Sequence, residues 1–230
     1  MINKLRPSKI IFSCVVWVML YSIFGCQSKV VSPEKTAESY HFKRVVIIPF
    51  QNMTAKYGLN VTVRGGISGR YYTTDKVAEG ADYLLTAHLT TFLRGRKNLE
   101  LIPVSRAEGA FSDVLSKEKG KELSELEMIV RVGRELGADA VVEGKIYRFI
   151  ERDGTAYSVT SPASVAFDVF LIRVEDSLTI WSGHFDETQR SLFENLFDIS
   201  AFMKRGGRWV TAEEMAIDGL NDMLETFPAQ

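Results

Sequence analysis

An unbroken apolar run constrains the fold more than any other feature of this sequence. Arg44–Phe50 reads RVVIIPF, is rich in β-branched residues and shows no alternation of apolar and polar positions. Such a run is typical of a central strand that is buried on both faces of an α/β sheet. Pro49 has no backbone N–H to donate, so we expect it to limit pairing near the end of the strand.

Glycine content and helical periodicity predict the elements that follow this strand. Gln51–Asp75 is rich in glycine and is predicted to be a mobile loop, in which Val61–Val63 is a candidate short strand. The apolar spacing beyond it predicts an amphipathic helix, a strand and a second helix, at Lys76–Arg94, Leu99–Val104 and Arg106–Lys117.

A serine or threonine followed three residues later by glutamate predicts the start of each remaining helix. These capping boxes are Ser124 with Glu127, Ser191 with Glu194, and Thr211 with Glu214. Gly137 is the expected C-cap of the first of these helices. The second helix is expected to end near Lys204.

Strands without intervening helices follow the Ser124 helix. Ala138–Glu151, Ser164–Glu175 and Leu178–Glu187 are separated by turn residues, and they predict an antiparallel meander. The element order β-α-β-α-α-β-β-β-α-α predicts the α/β class. We expect a single domain, residues 43–230, with a mixed sheet packed by helices.

The N-terminal segment has the pattern of an export signal. Basic residues precede Ile10–Phe24, an uncharged run that would reach about 22 Å as a helix, short of a hydrocarbon core of about 30 Å. Ile23–Cys26 resembles a bacterial lipobox, so residues 1–25 are predicted to be a signal peptide and Cys26 the lipidated residue. Gln27, which is not aspartate, favours sorting to the outer membrane. Residues 26–42 are predicted to be a flexible tether. A single-pass membrane anchor is the alternative.

Segments spread along the domain resemble, in the same order, the motifs of one superfamily. They are the opening strand Val45–Asn52, the helix and strand between Ala81 and Arg106, the strand entry Leu136–Gly144 and the strand Thr179–Gly183. They are similar to the superfamily of the curli-secretion lipoprotein (CsgG), the N-terminal domain of TolB and LpoB-like envelope lipoproteins. The similarity covers about residues 43–190.

This resemblance implies an envelope protein that acts by binding other proteins and not as an enzyme. The curli channel builds its pore from long amphipathic hairpins. Tyr57–Tyr72 is the one candidate for such a hairpin here, and its charges and glycines are poor barrel material. A pore is therefore not expected.

The same glycine-rich segment holds the candidates for a partner-binding surface. These are Arg64, Arg70, Tyr71 and Tyr72. Loops often carry function, and Tyr and Arg are typical anchors of protein interfaces. A second aromatic group is better explained by core packing, with coverage of a partner or second subunit as the alternative. Its members are Phe193, Phe197, Phe202 and Trp209.

Few residues suggest catalysis or metal binding. His88 lies on an apolar helix face and is predicted to be structural. His184 and Asp186 share one face of a strand while Glu187 turns away, which disfavours a metal site from these residues.

Two carboxylates in the meander, Glu143 and Asp168, have several interpretations. They could face each other as an acid pair, but solvent-exposed positions or pairing with Lys145 or Arg148 are favoured. The sequence shows no cofactor motif, and the formal net charge of −1 offers no overall basic field for nucleic acid.

The sequence therefore predicts a non-catalytic lipoprotein on the periplasmic face of the outer membrane. We expect it to bind another envelope protein as an adaptor or activator, without a cofactor. There are two alternatives: an oligomeric component of an outer-membrane export apparatus, and a cell-envelope hydrolase. Under the first alternative the protein would form homo-oligomers.

Overall fold

The computed structural model describes residues 42–117, 123–156, 158–189 and 208–228. All of them belong to one compact unit, Ser39–Gln230. The strands in these ranges are β1 (Arg44–Asn52), β2 (Thr62–Arg64), β3 (Tyr71–Thr73), β4 (Glu100–Ile102), β5 (Ala140–Ile150), β6 (Asp153–Gly154), β7 (Val159–Ser161), β8 (Ser164–Arg173) and β9 (Thr179–Thr188). The helices are α1 (Met53–Tyr57), α2 (Ala81–Arg94), α3 (Val104–Lys117), α4 (Glu125–Leu136) and α5 (Ala212–Leu224).

A mixed five-stranded sheet organises the domain, as the sequence predicts. Its order is β4-β1-β5-β8-β9. β1 is parallel to both β4 and β5, whereas β8 is antiparallel to both β5 and β9. The meander is therefore confirmed, with the short β6–β7 pair inserted between β5 and β8. The domain belongs to the α/β class.

The apolar run of β1 lies between two other strands and is buried on both faces. Val45 and Ile47 pack with α2 and α5, while Val46 and Ile48 pack with α3 and α4. The pairing of β1 with β5 shifts between Ile48 and Gln51, the stretch that contains Pro49. The sheet is thus the middle layer between two helical layers.

The capping boxes at Ser124 and Thr211 are confirmed. In each, the side chain accepts from the backbone N–H of the glutamate three residues on, and that glutamate accepts from the backbone N–H of the cap. Gly137 ends α4 with a left-handed φ of 63°. The capping box at Ser191 and the helix predicted to follow it lie outside the described residues.

The prediction that the glycine-rich segment is a mobile loop was wrong, whereas the candidate strand at Val61–Val63 is present one residue further on, as β2. Asn52 caps α1 by accepting from the backbone N–H groups of Thr54 and Ala55. β2 and β3 then pair as an antiparallel hairpin. Local patterning was too weak to predict the hairpin because it is held by contacts with distant strands.

The start of α2 was placed five residues too early. Lys76 accepts a hydrogen bond from the backbone N–H of Phe149, and Ala78 donates to the carbonyl of Phe149. These bonds hold the segment against β5 in extended form. Gly80, with a φ of 79°, then turns the chain into the helix.

Candidate functional site

The hairpin formed by β2 and β3 presents one exposed face and one buried face. Arg64 pairs with Tyr71, and Val63 pairs with Tyr72. Because side chains alternate along a strand, the first pair faces solvent and the second faces the sheet. Tyr71 is 70% exposed and Arg64 is also exposed, whereas Val63 and Tyr72 are buried.

The predicted surface residues therefore divide into two groups. Arg64, Arg70 and Tyr71 are exposed. Tyr72 is only 3% exposed and stacks on Tyr147 of β5, with ring centroids 4.0 Å apart. Its side chain does not contribute to the exposed surface, because strand alternation turns it inward.

Asp168 of β8 lies beneath the hairpin and accepts hydrogen bonds from its inner face. Tyr72 Oη donates to one carboxylate oxygen, and Ser68 Oγ donates to the other at 3.0 Å. Tyr147 Oη also donates to the second oxygen, at 3.3 Å. Burial raises the pKa of Asp168, and the hydroxyl donors oppose that rise. Burial, reinforced by Asp168, raises the pKa of both tyrosines.

A buried ionic group lies next to Asp168 on the same face of the sheet. Lys145 Nζ is 2.6 Å from the carboxylate of Glu125, at the first turn of α4, and 3.9 Å from that of Glu143. Glu143 is fully buried, and its Oε1 accepts from Gln51 Nε2 at 3.3 Å. Its Oε2 has no hydrogen-bond partner among the described residues.

The surroundings of Glu143 favour its protonated form. Burial raises the pKa of Glu143 to about 7, and the negative charge of Glu125 adds to the rise. The positive charges of Lys145 and Lys56 oppose it. Glu143 therefore takes up a proton much more readily than an exposed glutamate.

Of the two favoured interpretations of Glu143 and Asp168, solvent exposure was wrong. Both are fully buried. They do not face each other either, because Asp168 lies opposite Lys145 in the register and Glu143 lies opposite Phe170. The approach of Glu143 to Lys145 is confirmed. The available sequence signal was the placement of Glu143, Lys145 and Tyr147 on one face of an otherwise apolar strand.

The turn of the hairpin passes so close to this group that a side chain at Gly65 or Gly66 would force neighbouring side chains to move. A Cβ atom on Gly65 would lie 2.5 Å from Ser68 Oγ and 3.2 Å from Tyr147 Oη. A Cβ atom on Gly66 would lie 2.7 Å from Glu125 Oε2. The glycines therefore allow residues 65–70 to close over the ionisable side chains.

Neither His88 nor His184 forms a metal site with acidic side chains of the described residues. His88 is half-buried and bonds to Asn221 Oδ1 at 2.7 Å, which confirms a structural role. Asp186 forms an ion pair with Arg148 at 2.6 Å, while Glu187 lies opposite Val165 on the other face from His184. Burial, together with the charge of Arg70, lowers the pKa of His184.

Other predicted features fall partly outside the described ranges. Trp209 is half-buried, whereas Phe193, Phe197 and Phe202 lie outside the described residues. Within the described residues, no group of three or more His, Cys, Asp or Glu side chains has the arrangement of a metal site. No helix of the described ranges has the length and apolarity needed to cross a bilayer.

Similarity to known proteins is limited to distant likeness with solved structures. No family model and no curated protein matches the chain. A PelC dodecamer from Paraburkholderia phytofirmans is 12% identical, with 82% of this chain and 89% of that chain covered and a TM-score of 0.44. The LpoB C-terminal domain from Salmonella enterica is 16% identical, with 64% of this chain and 83% of that chain covered and a TM-score of 0.38. Lipoprotein GNA1162 from Neisseria meningitidis is 13% identical, with 72% of this chain and 98% of that chain covered and a TM-score of 0.40. At these identities and TM-scores, the likeness carries no inference about partner or activity.

Proposed function

We propose that this protein is a lipid-anchored envelope lipoprotein that binds another envelope protein without catalysing a reaction. Residues 1–25 are the signal peptide, Cys26 carries the lipid, and residues 26–42 tether the domain of residues 43–230 to the periplasmic face of the outer membrane. A tether raises the effective concentration of a domain near a membrane-bound partner. A weak interface is then sufficient for binding.

The exposed face of the hairpin is the observation that carries this proposal. Arg64 and Tyr71 lie directly opposite each other on adjacent strands, and both are exposed. The buried face is held to the sheet through Tyr72 and Ser68, which donate to Asp168. A surface held in place in this way loses little conformational entropy when a partner binds.

The distribution of ionisable groups also favours binding over catalysis. Asp168, Glu143 and Lys145 are buried and are engaged by other side chains of the domain. Asp168 accepts from Ser68 of the hairpin, and Lys145 pairs with Glu125. His184 and Asp186 are exposed, and Asp186 is already held in an ion pair with Arg148. Asp168 holds the hairpin, and we assign these groups a structural role.

In-cell photocrosslinking tests the proposal. A photoreactive residue replaces Tyr71 in one strain and Tyr83, an exposed tyrosine of α2, in the control strain. We expect one envelope protein to be captured from Tyr71 and not from Tyr83. Equal capture from both positions, or none from Tyr71, would contradict the proposal. Capture of a second copy of this chain from Tyr71 would replace it with the oligomeric export component.

A further inference from the structure

Exposed apolar side chains are concentrated on or beside the hairpin. Tyr57, Leu59, Val61 and Tyr71 are 42%, 51%, 40% and 70% exposed. All four fall within a stretch of the chain that forms the end of α1, the following turn and the hairpin. Exposed apolar surface that is rimmed by polar groups commonly marks an interaction site.

The charges on this segment are all of one sign. Residues 53–73 contain Lys56, Arg64 and Arg70 and no acidic residue, although the whole chain has a formal net charge of −1. All three basic side chains are exposed. We call these three residues, with Tyr57, Leu59, Val61 and Tyr71, the basic–aromatic surface.

The acidic groups near this surface are engaged by other partners. Beneath the turn, Glu125 pairs with Lys145, and Asp168 accepts from the hydroxyl groups of Tyr72, Ser68 and Tyr147. Asp186 is 2.6 Å from Arg148, with which it forms an ion pair. Asp75 is half-buried at the base of the hairpin, where its carboxylate accepts from the backbone N–H of Lys76. Arg64 donates from Nε to the carbonyl of Gly69, and its terminal nitrogens make no hydrogen bond within the described part of the chain.

We propose that the basic–aromatic surface binds an acidic, partly apolar surface on the partner protein. This inference rests on the proposed function and adds the chemistry of the partner. Arginine presents a planar set of donors that matches a carboxylate, and Arg64 and Arg70 lie at opposite ends of the same turn. Tyr71 lies opposite Arg64 and supplies apolar contact area between the charged groups.

An anionic membrane is the less favoured occupant of this surface. Basic clusters that recognise anionic lipid usually have about four to eight Lys or Arg side chains, each worth about 1 kcal/mol near the surface. The basic–aromatic surface has three basic residues. The number of basic residues decides against lipid here, and not their type, because a guanidinium group pairs with phosphate as well as with carboxylate.

Charge reversal in the crosslinking strain tests the inference. The photoreactive residue stays at position 71, and two double variants are compared. One carries Arg64→Glu and Arg70→Glu, and the other, the charge-preserving control, carries Arg64→Lys and Arg70→Lys. We expect the reversal to lower the yield of the captured protein at least about tenfold. The lysine pair keeps the positive charge but loses the planar set of donors, so we expect it to lower the yield less. Thermal unfolding of each variant verifies that the fold is unchanged.

The captured peptide identifies the chemistry of the partner. We expect the peptide crosslinked to position 71 to come from a surface rich in Asp and Glu. Capture of the same protein in equal yield by the Glu variant would overturn the inference while leaving the proposed function intact. Crosslinks to lipid instead of protein would assign the surface to the membrane. Failure to capture any protein with Arg64 and Arg70 unchanged would refute the proposed function itself.

Discussion

Protonation of Glu143 makes the stability of the fold depend on pH. Its pKa is about 7 in the folded protein, against an ordinary value of 4.5. The folded protein thus binds this proton more tightly than the unfolded chain does. The contribution of Glu143 to the free energy of unfolding is fully present below about pH 4.5 and is lost as pH rises towards 7. At 1.36 kcal/mol for each pKa unit, the loss is about 3 kcal/mol.

The substitution Glu143→Gln isolates this effect. Glutamine keeps the shape and can still accept from Gln51 through its carbonyl oxygen, but it has no titrating proton. Urea unfolding of both proteins between about pH 4 and pH 8 gives the free energies of unfolding. We expect the wild-type protein to lose about 3 kcal/mol relative to Glu143→Gln across this range, with most of the change between about pH 5 and pH 7.

An exposed carboxylate, in contrast to the buried Glu143, provides the control. Glu79 is exposed, so Glu79→Gln is expected to follow the wild-type pH profile. Parallel profiles for the wild-type protein and Glu143→Gln would refute the reasoning. They would mean that Lys145 keeps Glu143 ionised at every pH tested, despite the separation of 3.9 Å and the orphaned Oε2.

Two further predictions concern the hairpin and the anchor. Tyr72→Phe removes a hydroxyl donor from the buried carboxylate of Asp168, so we expect it to lower the free energy of unfolding by about 1–3 kcal/mol in urea titration. The control Tyr71→Phe, on the exposed face, is expected to change that free energy by less than about 0.5 kcal/mol. Equal effects of the two substitutions would show that the Asp168 bond does not hold the hairpin. Cys26→Ser removes the thiol that carries the lipid. We therefore expect cell fractionation to find the protein in the soluble periplasmic fraction and no longer in the membrane fraction. Retention in the membrane would indicate a single-pass anchor.

Local signals were sufficient to predict the sheet and the described helix caps. The β1 run needs no distant contact to be recognised, since unbroken β-branched residues suit a strand covered on both faces. The boxes at Ser124 and Thr211 were equally local, because each is completed within one helical turn.

The candidate site could be predicted only in part, because its geometry depends on residues far apart in the chain. Tyr71 and Tyr72 are adjacent residues of the same type, so residue type does not distinguish them. Only the pairing of β3 with β2 decides which one faces solvent. A charged residue in a strand ordinarily predicts an exposed position. Lys145 is buried because the start of α4 brings Glu125 to it, a contact that no local pattern encodes.

The two sides of the hairpin are subject to different physical constraints. Gly65, Ser68 and Tyr72 must fit the fixed geometry of Asp168, so change there affects whether the hairpin stays attached to the sheet. Arg64 and Tyr71 point to solvent, so their side chains are free of that requirement. The exposed side of the hairpin can therefore be substituted without disturbing the bonds that hold the other side to the sheet.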